Sequence, residues 1–165
     1  MVLEKLNQAE IIDLLGSIYE HSPWVAEVLF SQGITSQHND VDFLAKQMKK
    51  IVDESSEDLK LSLLKAHPEL AGKLAISGNL TKDSTAEQAS AGLDQCSKEE
   101  FVEFSNLNLK YTEKFGHPFI IAVRDLTRSE ILTSFKKRIK NNRQTEFETA
   151  LAEVHKIAKL RLEVL

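Results

Sequence analysis

His67, Glu87 and Arg161 are the three side chains whose types and settings point most directly to chemistry. His67 follows the leucine-rich run Leu59 to Ala66 and precedes Pro68. The leucines would pin one side of it to a core and the proline would stiffen the other, leaving an imidazole positioned for proton transfer near neutral pH. The same setting suits a helix-end histidine that bonds a carbonyl, and spacing alone does not separate the two. Glu87 lies three residues after Ser84, the spacing of a capping box. Capping does not exclude ligand contact. A helix N-terminus presents amide donors to an anion, so Ser84, Glu87 and Gln88 could line a site for a small, polar, negatively charged molecule. Arg161 interrupts an apolar seam formed by Phe147, Leu151, Val154, Ala158 and Leu165, at alternating spacings of four and three. A buried guanidinium needs a partner. Three readings stay open for it: a structural ion pair, a side chain snorkelling at the seam's edge, or an anion-binding fork.

Other features carry less. His117 beside Pro118 reads as a loop histidine satisfied by backbone, with a second acid/base role as the rival. His155 shares a face with Glu148, Ala152 and Lys159, which places it in solvent. Lys136, Lys137, Arg138, Lys140 and Arg143 form a basic cluster without interleaved aromatics, the pattern of a solvated helix face. A His-Glu-x-x-His metal motif, a glycine-rich phosphate loop and a Gly-x-Ser-x-Gly elbow are all missing from the sequence, so no cofactor and no metal is expected.

The elements that must position these residues are helices. Leu, Lys, Glu and Ala dominate, and strand-like alternation is nearly lacking. Asn7, Ser22 with Pro23, and Asp40 mark helix starts, as do Ser56, Ser84, Ser97, Thr127 and Thr145. All of this last group but Ser56 have glutamate three residues later, at Glu87, Glu100, Glu130 and Glu148. Gly33, Gly92 and Gly116 stand where left-handed C-caps belong. The spacing predicts an all-α, compact single-domain bundle of about eight helices over residues 1–165. Proline breaks helical continuity at His67-Pro68 and at His117-Pro118. The run Phe119-Ile120-Ile121-Ala122-Val123 that follows the second break is too short for a helix and apolar throughout, so it reads as a buried extended segment. Its backbone groups would need partners, and a ligand could supply some.

Composition narrows the function classes. A chain of 165 residues with 42% hydrophobic content can bury a real core without staples. Its net charge of −4 is made of interspersed charges, which argues against nucleic acid and anionic membrane as partners. A lone Cys96 cannot form an internal disulfide and fits a reducing compartment. The segment Met1 to Glu10 lacks a signal peptide's apolar stretch, and no run approaches the ~20 residues of a membrane span. The last residues, Glu163-Val164-Leu165, are not a peroxisomal address. The expected location is the cytoplasm, which makes the sequon Asn79-Leu80-Thr81 a coincidence.

Several segments together resemble the 2-oxo-4-hydroxy-4-carboxy-5-ureidoimidazoline (OHCU) decarboxylase family. They are Ser22-Pro23-Trp24, His67-Pro68-Glu69-Leu70-Ala71-Gly72-Lys73, the stretch from Ser84-Thr85-Ala86-Glu87-Gln88 to Asp94, Phe115-Gly116-His117-Pro118 with the apolar run after it, and the closing Glu153 to Leu162. The resemblance runs over almost the whole chain. It implies an all-helical homodimer of the urate degradation pathway that converts OHCU to (S)-allantoin without a cofactor, the substrate ring supplying its own electron sink. It makes His67 the acid/base residue and gives Glu87 and Arg161 substrate contacts. It also implies that Pro68, Ser84 and Gln88 line the pocket and that the backbone of Phe119, Ile120, Ile121, Ala122 and Val123 grips the ring. Lys73 stands where the family often has arginine, which puts a bidentate contact there in doubt. Two rivals remain: a helical binding module that kept the pocket without the chemistry, and a structural dimer.

Overall fold

Side-chain caps set most of the helix starts in this computed structural model, which describes residues 2–72 and 80–165. Lys73 and Asn79 lie outside the described residues. Asn7 forms a capping box with Glu10 and opens α1, Gln8–Leu15. Pro23, already helical at φ −62°, leads α2, Trp24–Gln32, which ends at Gly33 with φ 94°. Asp40 accepts from the Phe43 amide at the start of α3, Val41–Asp53, and Ser56 from the Leu59 amide at the start of α4, Glu57–Lys65. After the undescribed stretch come α5, Lys82–Ser90, α6, Lys98–Phe115, α7, Arg128–Arg138, and α8, Arg143–Leu162. Eight α-helices, three short 3-10 turns and no strand are found among the described residues, as the sequence leads one to expect. None of the described helices is long and apolar enough to cross a membrane.

Three starts differ from expectation: Pro23 rather than Ser22 stands at the cap position of α2, without a side-chain cap, and two others move by three residues. Thr81, not Ser84, caps α5, its hydroxyl accepting from the Ser84 amide at 3.3 Å. Asn142, not Thr145, caps α8, its side chain accepting from the Thr145 amide at 2.8 Å. In both cases a cap-competent residue three positions upstream takes the role and draws the expected cap into the first turn. Glu87 is thereby moved to the second turn of α5, and the capping-box role falls away.

The chain packs as two compact units, Met1–Ala66 with Val154–Leu165, and His67–Glu153. In the first, α1 packs on α2 and α2 on α3, and Ile11, Leu15, Leu29, Met48 and Leu64 are buried. Within the second, Leu70, Ala71, Ala91, Phe104, Tyr111, Phe119, Val123, Ile131 and Phe135 belong to one apolar cluster. At about 1.5–3 kcal/mol for each large side chain removed from water, this cluster is the main force holding its segments together.

Candidate active site

His67 is buried, on the first turn beyond α4, where Pro68 ends the helical path. The residues just after it are gripped by two helices. On α5, the Gln88 amide accepts from the Ala71 amide at 3.0 Å and donates to the Glu69 carbonyl at 3.2 Å. From α6, Asn108 donates through Nδ2 to the Leu70 carbonyl at 3.0 Å. Ala71 sits at φ 49°, a left-handed conformation that costs a non-glycine residue about 1–2 kcal/mol. Three side-chain hydrogen bonds on three consecutive residues hold that turn against its strain.

Because α5 begins at Thr81, Ser84 and Gln88 fall one turn apart on its buried face, with Glu87 half-buried beside them. The structure therefore brings the His67 turn and the predicted Ser84, Glu87 and Gln88 face together through Gln88, whose amide bonds the protein backbone at both ends.

The run Phe119 to Val123 is neither helix nor strand and is buried at every position but Ile121, which is half-buried. The Ile120 carbonyl accepts from Arg138 Nη1 at 2.7 Å, and the Ala122 amide donates to Glu153 at 2.8 Å. Val123 offers its carbonyl to the Leu126 amide. No hydrogen bond from the described residues reaches the Ile121 amide or carbonyl. Phe119 stacks on Phe135 with ring centroids 3.9 Å apart, and the Arg138 guanidinium carbon lies over the Phe119 ring at 4.4 Å from its centroid. His117 is buried and donates through Nδ1 to the Pro118 carbonyl at 3.0 Å, in line with the backbone-satisfied reading.

Arg138 corrects the reading of the basic cluster. It is buried, and its guanidinium meets Glu146 at 3.0 Å, while Tyr111 and Asn141 donate to the same carboxylate. Burial pushes the Glu146 carboxyl up, but these hydrogen bonds outweigh it and hold it below the usual range. Burial, reinforced by Glu146, pushes the Tyr111 phenol up.

Arg161, in the other unit, is also buried. Its Nη2 meets Glu20 at 2.7 Å and its Nη1 donates to the Ser17 carbonyl at 3.2 Å. Of the three readings, the snorkelling side chain is excluded and a protein carboxylate is present. Glu20 went unnoticed in the sequence, although an arginine on an apolar seam demands such a partner; its signal is diluted among 25 acidic residues.

His155 is the second correction. Instead of facing solvent, it bonds Tyr19 Oη through Nδ1 at 2.8 Å and Asp53 through Nε2 at 3.0 Å. A carboxylate can only accept, so Nε2 carries the proton and Tyr19 donates to Nδ1. Burial lowers the His155 pKa despite the opposing pull of Asp53.

Comparison with known proteins decides the family. The OHCU decarboxylase family model matches residues 4–163. The chain belongs to the OHCU decarboxylase family. Among its relatives in that family, the 2-oxo-4-hydroxy-4-carboxy-5-ureidoimidazoline decarboxylase of Haloferax volcanii is 42% identical over 97% of this chain and 91% of its own length. The uric acid degradation bifunctional protein of Bacillus subtilis is 38% identical over 97% of this chain, which spans 32% of that longer protein. A solved crystal structure of an (S)-allantoin synthase superposes with a TM-score of 0.77 at 36% identity, covering 98% of this chain and 52% of that one. The fold is thus shared over nearly the full length of this chain and about half of that one.

Proposed function

We propose that this chain is a carboxy-lyase that converts OHCU to (S)-allantoin in urate degradation, with His67 as its acid/base residue. The full-length family match carries the reading. The carboxylate leaves the hydroxyl-bearing ring carbon as carbon dioxide, its bonding pair passes into the conjugated ring, that carbon becomes a carbonyl as its hydroxyl gives up its proton, and a new C–H bond forms at the neighbouring ureido-bearing carbon. Without a fixed donor that proton arrives on either face and both hands of the product result. An imidazole held by a strained, braced turn delivers it to one face. Glu87, Arg161, Pro68, Ser84 and Gln88 are the proposed substrate contacts, and the Ile121 amide and carbonyl are suited to a ring edge that carries both N–H and C=O. Glu20 orients the Arg161 guanidinium for an anionic group. We assign the protein to the cytoplasm and to a homodimer on the same resemblance.

The test is a circular-dichroism time course in which uricase and 5-hydroxyisourate hydrolase generate the unstable substrate from urate, with and without this protein. Rapid appearance of one enantiomer is expected. A trace matching the spontaneous, racemic background, with the protein folded, would sink the enzyme reading and favour the binding module.

A further inference from the structure

We infer that Asn108 is a positioning residue for His67, an inference that rests on the decarboxylase reading. On α6 it occupies the buried face between Phe104 and Tyr111, at spacings of four and three, where an apolar residue would pack. It is 3% exposed. Its Nδ2 is spent on the Leu70 carbonyl, three residues beyond His67, while its Oδ1 is buried without a hydrogen-bond partner among the described residues. Keeping an amide there leaves one buried acceptor unmatched, and leucine would instead strand the buried Leu70 carbonyl, so the position is held for its donor. What asparagine supplies and leucine cannot is one directed donor to the Leu70 carbonyl.

That donor acts on a short, stiff lever. Pro68 fixes its own φ and restricts the backbone of His67. Glu69 and Ala71 are held by Gln88, and Ala71 is strained at φ 49°. Between His67 and Ala71 the chain therefore has little freedom except at Leu70, and Asn108 removes it. Releasing Leu70 lets the turn relax and shifts the imidazole relative to the face it must protonate. Misplacement of about 1 Å is enough to cost about 100-fold in rate.

The test uses Asn108→Leu, which keeps the γ-branched shape in a larger side chain and deletes both the donor and the stranded acceptor, with Asn108→Asp as a second, near-isosteric variant that removes the amide donor. The melting temperature of the leucine variant should stay within a few degrees of the wild type, the removal of the unmatched acceptor offsetting the loss of the Leu70 partner, and (S)-allantoin should still stabilise it against heat. Its kcat should fall about 10- to 100-fold with KM nearly unchanged, and the enantiomeric excess of the first-formed allantoin should drop. Unchanged kcat and enantiomeric excess in either folded variant would overturn the inference. So would a parallel loss of stability, product binding and turnover in both, the mark of a merely structural residue. Wild-type protein in the same assay separates the two levels: no turnover there defeats the decarboxylase reading itself, whereas normal wild-type turnover with undisturbed variants defeats only the role of Asn108.

Discussion

Arg138 and Arg161 are both buried, both paired with a glutamate, and each belongs to a different unit. The surroundings of the two pairs differ. Arg138 donates to both Glu146 oxygens and to the Ile120 carbonyl, and Glu146 also receives Tyr111 and Asn141. Each partner in this network is cross-tied to another side chain, and it braces the segment beginning at Phe119. Arg161 is met instead by residues of one irregular stretch between α1 and α2: Glu20, Ser17 and Ile18, with His21 at φ 48° just beyond. The same residue pairing thus serves as scaffold in one unit and, in our reading, orients a ligand-binding fork in the other.

Removing one member of each pair should separate these roles. Arg138→Met strands Glu146 in the interior and should cost about 3–5 kcal/mol, read as a large fall in melting temperature. A loss below about 1 kcal/mol would mean that the network is not a scaffold. Arg161→Lys keeps a cation opposite Glu20, so the fold should survive with a melting temperature within a few degrees of the wild type. Without the planar fork, kcat/KM should drop about 100-fold. Full activity in that variant would assign Arg161 to the fold as well.

Why the sequence exposed one arginine and concealed the other follows from their neighbours. Arg161 stands alone on an apolar seam, so burial was legible. Arg138 sits among Lys136, Lys137 and Lys140, and a run of like charge reads as solvated until Glu146 is known to face it across a turn. His155 misled for a similar reason: its own helix face is polar, and only the distant Tyr19 and Asp53 bury it. The helical fold, the two proline breaks and the buried run after His117 needed only local pattern. Asn108 carried the same seam signal as Arg161, between Phe104 and Tyr111, but an uncharged amide raises no alarm about burial.

Helix α5 offers a smaller contrast. Thr81→Ala should cost about 1 kcal/mol of stability through the lost cap, whereas Ser84→Ala should lose no cap at all. Equal losses, measured by denaturant unfolding, would restore Ser84 to the helix start.

The units should also part in their response to acid. The folded-state pKa of His155 lies below its ordinary value of 6.5, so the unfolded chain binds the proton first as pH falls. The stability from neutral His155 is therefore complete above about pH 6.5 and is lost below it. Glu146 is held below the carboxylate range, so its pair should persist to much lower pH. Melting temperatures at pH 7.5 and 5.5 should show a drop in the wild type that is smaller in His155→Gln; identical drops would remove His155 as the cause.

The most direct test of the whole account is the stereochemical course of allantoin formation by wild-type protein and by His67→Asn, followed by circular dichroism from freshly generated substrate. The account requires rapid, single-handed (S)-allantoin from the wild type, and from the folded variant a trace that approaches the racemic background. Near-normal (S)-allantoin from His67→Asn would contradict it and take the proton-donating role away from His67.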